Sequence, residues 1–162
     1  MTLDETEVRD CMARMAILQL FAKYCHIVDD CEFEKLAEVF TEDAQIDYTS
    51  LGDEVAGHST RMIGAAAFTA FLTSSMARMG PGLTHFMTNH LITVRGDEAD
   101  IVTHNHVLNL PVGGYYRSHA RRTDAGWRLD RFKFEWRDYH AMGRKMGFDL
   151  GVLTLADSGE GQ

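Results

Sequence analysis

The sequence contains few of the residues that cross-link or interrupt small proteins, with three cysteines and two prolines among 162 residues. The cysteines, Cys11, Cys25 and Cys31, are odd in number and clustered early, which argues against a disulfide framework and favours a reduced, cytoplasmic setting. No apolar run approaches the length of a membrane span. The acidic stretch 1–10 lacks the basic and apolar pattern of a signal peptide. We therefore expect neither a secreted, disulfide-rich protein nor a membrane protein.

Positive charge is also scarce, because 16 lysines and arginines face 24 aspartates and glutamates, giving a formal net charge of −8. An acidic chain is poorly suited to nucleic acid or to an anionic membrane, so neither is expected as a partner. The chain also lacks a glycine-rich phosphate loop and the Gly-x-Ser-x-Gly turn of serine hydrolases. The pair Gly113-Gly114 falls in a predicted hairpin instead. No cofactor is predicted.

The spacing of apolar residues divides the chain into a helical half and an extended half. Helical periodicity predicts helices over 6–28, 33–40 and 63–79, with a short strand over 44–48. Four extended runs joined by tight turns then form an antiparallel meander over 85–95, 98–110, 115–123 and 127–136. This order indicates an α+β fold, a cone-shaped barrel in which three N-terminal helices pack in a strongly curved antiparallel sheet.

The strand alternation predicts one irregularity and raises one conflict. In the last strand the apolar residues change parity, which predicts a β-bulge near Asp130 and Arg131. In the run 85–95 the even positions are the more apolar ones, so His85 faces away from the core unless a bulge intervenes.

Several polar residues are candidates for chemistry. Asp29 ends an apolar helix, where it either caps the next helix or faces a pocket. Histidine is the side chain most often used for proton transfer near neutral pH, and the chain has eight. The pair His104-x-His106 invites a metal hypothesis, but no carboxylate follows at the distance that a cupin-like site needs. No metal site is predicted.

The order of several short motifs resembles that of SnoaL-like domains of the nuclear transport factor 2-like superfamily. The first is the tyrosine-to-aspartate segment 24–29, followed by the Leu-Ala-Glu-Val-Phe segment 36–40 and Glu-Asp-Ala at 42–44. The strand opening 84–89, with its histidine and asparagine, and the hairpin 122–129 complete the resemblance. It covers residues 8–137 of a single domain over 1–162, which leaves 138–162 as a C-terminal extension.

Within that superfamily the pattern is most similar to scytalone dehydratase, bile-acid 7α-dehydratase and hexachlorocyclohexane dehydrochlorinase. The resemblance implies a cofactor-independent dehydratase, lyase or isomerase that acts on a hydrophobic, oxygenated small molecule, polyketide-like or steroid-like. It also implies a homodimer or a homotrimer. The implied catalytic residues are Asp29, His85, Tyr24 and His106, and the implied substrate contacts are Tyr48, Phe21, Asn89 and Trp136.

The expected mechanism gives each of these residues a role. His85 removes a carbon-bound proton, while Asp29 orients its ring and stabilises the imidazolium. Tyr24 or Tyr48 donates a hydrogen bond to the substrate oxygen, and His106 protonates the leaving hydroxyl.

Other functions of the same fold remain open. They are a noncatalytic binding or scaffolding protein, a polyketide cyclase, and an epoxide hydrolase that would need a water-binding set such as Asp47, Arg117 and Asp100. A hydrogen bond between Asp29 and His85 beside a pocket would favour the interpretation that the protein is a lyase.

Overall fold

The computed structural model describes residues 4–79, 82–108 and 112–138, in which helices precede the long strands as predicted. The helices are α1 (Glu5–Asp29), a 3₁₀-helix (Phe33–Glu38) and α2 (Gly64–Met79), with a second 3₁₀ turn at Thr49–Leu51. The strands are β1 (Phe40–Asp47), β2 (Glu54–Val55), β3 (His58–Ser59), β4 (Arg61–Ile63), β5 (Thr84–Arg95), β6 (Glu98–Leu108), β7 (Val112–Thr123) and β8 (Gly126–Asp138). Beyond Asp138 the predicted extension lies outside the described residues.

Helix α1 is defined at both ends by local chemistry. The Asp4 carboxylate accepts the N–H of Thr6, and the Glu7 carboxylate accepts the N–H of Asp4, which together form a capping box. The helix ends at Asp29, because Cys31 takes a left-handed φ of 57° that no helix continues. One face of α1 is buried against the sheet through Ala13, Ile17, Leu20, Phe21, Tyr24, Ile27 and Val28.

The second predicted helix is shorter and tighter than expected. It is a 3₁₀-helix that stops at Glu38, and the N–H of Val39 bonds to the carbonyl of Leu36. The carbonyl of Val39 then accepts the N–H of Leu129 from strand β8. Because this hydrogen bond joins the chain to β8 at Val39, strand β1 begins at Phe40, four residues before the predicted start.

The main sheet has six strands in the order β4-β1-β8-β7-β6-β5, which leaves β5 at an edge. Strands β5 to β8 form the predicted antiparallel meander, but β1 pairs with β8 in parallel, so the sheet is mixed. Gly113 and Gly114 lie inside β7 rather than in a turn. A Cβ on Gly114 would lie 2.1 Å from the Glu135 carbonyl oxygen, so close strand approach requires glycine there.

The predicted bulge in the last strand is confirmed. His119 of β7 pairs with Arg131 and Ala120 pairs with Leu129, so Asp130 is one residue too many for the ladder. Leu129 and Phe132 are both fully buried on either side of it, although their sequence parity differs. The bulge therefore keeps the core face continuous and increases the local twist of β8.

A second bulge resolves the conflict in β5. Thr88 pairs with His104 and Leu91 with Val102, so Asn89 and His90 together oppose Thr103. Asn89 has a left-handed φ of 54°. Before the bulge the odd residues His85 and Met87 face inward, and after it the inward positions are even. His85 therefore faces the inside of the sheet.

The concave side of the sheet is filled by the helices and by an aromatic core. Helix α1 lies against β5 and β8, and α2 lies against β1. Eight aromatic rings pack together at the centre, from Tyr24, Phe40, Tyr48, Phe68, Phe71, Tyr116, Phe132 and Phe134. Burying a large apolar side chain is worth about 1.5–3 kcal/mol, so this cluster holds helices and sheet together. No helix in the described ranges is long and apolar enough to cross a bilayer.

The β5 bulge predicts an unequal response to substitution at Asn89. Asn89→Val should lower the free energy of unfolding by about 1–3 kcal/mol, because a β-branched residue resists a left-handed φ. Asn89→Gly should cost less, since glycine adopts that conformation freely. Urea unfolding of the two variants beside the parent protein measures the difference. Equal stability of both variants would show that the left-handed backbone at Asn89 does not hold the bulge.

Candidate active site

The two residues of the predicted pair come from the end of α1 and the start of β5. Asp29 is the last residue of α1, where a carboxylate faces the negative end of the helix dipole and is disfavoured. It does not cap the next helix, whose N-cap is Glu32 without a side-chain hydrogen bond. The alternative interpretation of Asp29 as a cap is therefore wrong. Its carboxylate is instead engaged by His85.

Three hydrogen bonds join these residues. The Nδ1 atom of His85 lies 2.6 Å from Oδ1 of Asp29, and the backbone N–H of His85 donates to both carboxylate oxygens, at 3.2 Å and 3.0 Å. Both side chains are largely buried, with 11% of His85 and 18% of Asp29 exposed. The carboxylate is thus held by the same residue whose ring it orients. With a proton on Nδ1, the neutral ring carries its free lone pair on Nε2.

A groove of about 430 Å³ runs between α1 and β5 beside the pair. Its wall combines apolar side chains with polar ones: Leu18, Gln19, Phe21, Ala22, Cys25, His26, Asp29, Thr84, His85, Phe86, Met87 and His90. Burial and the nearby Asp29 carboxylate raise the pKa of the Cys25 thiol to about 12. The thiol therefore stays protonated near neutral pH and is unsuited to nucleophilic catalysis.

Three tyrosine hydroxyls meet in the interior. The oxygen of Tyr48 lies 3.0 Å from those of Tyr24 and Tyr116, and the latter two are 3.5 Å apart. Burial raises the pKa of Tyr116 to about 12 and those of Tyr24 and Tyr48 well above the ordinary value. These hydroxyls therefore remain hydrogen-bond donors. None of the three lines the groove beside His85.

A second histidine–aspartate pair provides an internal comparison. Nδ1 of His119 lies 2.6 Å from Oδ1 of Asp130, the bulge residue of β8, and the two side chains are as buried as those of the first pair. Here, however, Nε2 lies 3.9 Å from a Glu98 carboxylate oxygen. An imidazole between two carboxylates is suited to an ion-pair role. Of these two pairs, the one that lines a groove is the one with His85.

The structure brings together only some of the predicted site residues. Phe21 lines the groove with Asp29 and His85, while Tyr24 and Tyr48 belong to the interior hydroxyl cluster. Three other placements differ from expectation. His106 is exposed, because the buried residues of β6 are the odd-numbered ones. Asn89 is also exposed, and its side-chain amide nitrogen lies 3.3 Å from Nδ1 of His104. Trp136, near the end of β8, is 42% exposed.

Other site residues were missed by the sequence reasoning. His26, Cys25, Met87 and His90 line the groove, and Tyr116 completes the hydroxyl cluster. The alternation of β6 could have predicted which of its side chains face inward. Its buried residues share one parity: Ala99, Ile101, Thr103, Asn105 and Val107. That parity points Asn105 inward and His106 outward. The Asn105 side-chain oxygen is buried without a hydrogen-bond partner.

The set required for an epoxide hydrolase is not assembled. Asp47 accepts hydrogen bonds from the backbone and hydroxyl of Thr49. Arg117 pairs with Glu135, and Asp100 pairs with Arg95. Each of the three residues is therefore engaged elsewhere.

Comparison with known proteins shows the same fold in several relatives. The chain is 29% identical over 138 residues to the uncharacterized protein Rv2910c of Mycobacterium tuberculosis, which covers 80% of this chain and 86% of the relative. An NTF2-like protein with a cystatin-like fold from Novosphingobium aromaticivorans superposes with a TM-score of 0.68 at 28% identity, covering 88% of this chain and 96% of that one.

Enzymes are found among the structural neighbours. Hexachlorocyclohexane dehydrochlorinase LinA-type3 from Novosphingobium barchaimii superposes with a TM-score of 0.64 at 19% identity, covering 81% of this chain and 89% of that one. A scytalone dehydratase-like protein from Novosphingobium aromaticivorans superposes with a TM-score of 0.63 at 21% identity, covering 81% of this chain and 90% of that one. At these identities the likeness shows the fold alone. The family model of the SnoaL-like domain matches residues 9–133, most of the chain. The protein is therefore a member of the SnoaL-like domain family, within the NTF2-like superfamily.

Proposed function

We propose that this protein is a cofactor-independent lyase, such as a dehydratase, or an isomerase that acts on a hydrophobic, oxygenated small molecule. The observation that carries the proposal is the 2.6 Å contact between His85 and Asp29 at the wall of a groove. A carboxylate that fixes one ring nitrogen leaves the other as a base. The groove contributes apolar surface from Leu18, Phe21 and Met87, which suits a flat, hydrophobic substrate.

The first step of the proposed reaction is removal of a proton from carbon. Nε2 of His85 takes the proton from the carbon next to a substrate carbonyl. The electron pair of the C–H bond forms a carbon–carbon double bond, and the π pair of the carbonyl moves onto its oxygen to give an enolate. The Asp29 carboxylate stabilises the imidazolium that forms, because it lies against the opposite ring nitrogen. Such a positioned base contributes about 10²–10⁴ in rate.

The second step returns a proton from the same residue. Because His106 is exposed on the outer face of β6, it is not placed to protonate a leaving group at this groove. The His85 imidazolium therefore returns its proton, either to a leaving hydroxyl, which departs as water while the double bond forms, or to another carbon. The first outcome is dehydration and the second is isomerisation. A single residue serves as base and then as acid.

Negative charge on the substrate oxygen needs neutral donors. We assign this role to Tyr24 and Tyr48, whose hydroxyls stay protonated because burial raises their pKa values. The helix connects the two parts of the site, since Tyr24 and Asp29 both belong to α1. Because these hydroxyls do not line the groove, the assigned contact requires a substrate oxygen to enter the interior cluster and to displace one of the mutual tyrosine hydrogen bonds.

A noncatalytic binding protein is the rival from another class. It would use the groove between α1 and β5 but would not need the Nδ1 contact to Asp29. The Nδ1 contact favours the enzyme, because fixing the ring orientation and tautomer serves proton transfer, whereas a binding surface needs only the tertiary contact from the His85 backbone. The following variants separate the two functions.

Removing either member of the pair should abolish proton transfer while the fold remains. A panel of β-hydroxy ketones and β,γ-unsaturated ketones is incubated with the protein in D₂O, and deuterium incorporation and product formation are followed by ¹H NMR. For the ketone that reacts, His85→Gln and Asp29→Asn should lower the rate by about 10²–10⁴, because the base or its orienting group is lost.

His119→Gln is the matched control, because it disrupts the other histidine–aspartate pair, where Glu98 lies near Nε2. This variant should lose stability but keep its rate per folded molecule. Rates within about threefold of the parent for both His85→Gln and Asp29→Asn would refute the proposed base, since such a base contributes at least about 10². Reaction of no ketone in the panel would favour the binding protein.

The tyrosine assignment makes a separate prediction. Tyr48→Phe removes one hydroxyl from the interior cluster and should lower kcat by about 10²–10³, with a smaller change in KM, because the donor acts on charge that develops during reaction. Measurement of both constants on the reacting ketone tests this. A variant that melts at a lower temperature but keeps its kcat would show that Tyr48 is only structural.

A further inference from the structure

The groove beside His85 contains a second imidazole that the proposed reaction does not use. His90 lines the same wall as His85 and Asp29, five residues further along β5. The bulge places it there, because Asn89 and His90 together oppose Thr103 and the inward parity shifts by one residue. Without the extra residue, position 90 would face the outer side of the sheet.

The surroundings of His90 differ from those of His85. Its Nδ1 lies 2.9 Å from the hydroxyl oxygen of Thr103, which is completely buried, and its ring centroid lies 5.4 Å from that of Phe21. His85 faces a carboxylate, whereas His90 faces a hydroxyl. Burial lowers the pKa of His90 below its ordinary value, so the ring is neutral near neutral pH.

A neutral imidazole in apolar surroundings recognises an uncharged partner. Thr103 lies beside Nδ1 and the Met87 backbone also bonds to the ring, so a ligand hydroxyl or carbonyl oxygen would form its hydrogen bond at Nε2. Leu18, Phe21 and Met87 supply the apolar surface between the two imidazoles. A hydrogen bond at the far end of such a surface fixes the orientation of the ligand.

The spacing of the imidazoles sets the length of that ligand. Five residues of regular strand, at about 3.3 Å per residue, would separate the two Cα atoms by about 16 Å, and the bulge shortens this distance. One aromatic ring is too short to reach both sites. A groove of about 430 Å³ is large enough for several fused rings.

We propose that His90 is a substrate-binding residue and that the substrate is an elongated, mainly apolar molecule with an uncharged oxygen at the end remote from the reacting carbon. This inference rests on the proposed function for the location of the reacting carbon. The juxtaposition that carries it is a carboxylate-paired imidazole and a hydroxyl-paired imidazole on one groove wall.

Two ligands of different length test the inference by isothermal titration calorimetry. Estrone carries a phenol at one end and a ketone at the other, whereas 5,6,7,8-tetrahydro-2-naphthol carries the phenol alone. His90→Phe keeps a ring against Phe21 and removes the polar atoms. It should weaken estrone binding about fivefold to tenfold, the usual effect of one lost hydrogen bond, and should change the affinity for the shorter ligand less than about twofold.

Three results would overturn the inference. They are no binding of estrone to the parent protein, an equal loss of affinity for both ligands in the variant, and no loss of affinity for either ligand. If His90→Phe does not fold, His90→Gln repeats the test; its amide retains part of the hydrogen bonding, so it should weaken estrone binding about twofold to fivefold and change the affinity for the shorter ligand less than about twofold. Binding requires no turnover, so the failure of His85→Gln to stop the reaction would refute the proposed function without deciding this test.

Discussion

The bond between Asp29 and His85 is the contact on which the account of this protein depends. It holds the C-terminal end of α1 against the first residues of β5, and in the proposed mechanism it also orients the ring of the base. The backbone N–H of His85 donates to the carboxylate as well, which offsets the cost of placing an aspartate at a helix C-terminus. The second pair, His119 and Asp130, has the same Nδ1 contact, but its Nε2 lies 3.9 Å from a Glu98 carboxylate oxygen and neither residue lines the groove.

Backbone irregularities then determine which side chains reach the site. The bulge at Asn89 lets His85 and His90 line one wall although their sequence parity differs. The bulge at Asp130 does the same for Leu129 and Phe132 in the core. Regular alternation would place either His85 or His90 outside. If the proposed function holds, the strand irregularity at this groove serves recognition, whereas the regular part of the sheet serves packing.

Much of the fold was predictable, because helical periodicity, strand alternation and turn residues depend on local sequence. The three helices, the meander and the Asp130 bulge belong to this class. The parallel pairing of β1 with β8 was not predicted, since residues far apart in sequence form it. In the site, the pair of Asp29 and His85 followed from resemblance and not from alternation. His106 was misplaced because the parity of its own strand, which buries Asn105, was not applied to it.

The most direct test of the central claim is to determine which ring nitrogen of His85 carries the proton. Ring ¹⁵N spectra of selectively labelled protein distinguish a protonated ring nitrogen from a bare one. We predict a proton on Nδ1, which faces Asp29, and a bare Nε2. Asp29→Asn should disturb this preference. A proton on Nε2 in the parent protein would contradict it, because the ring would then have no base to offer a substrate in the groove.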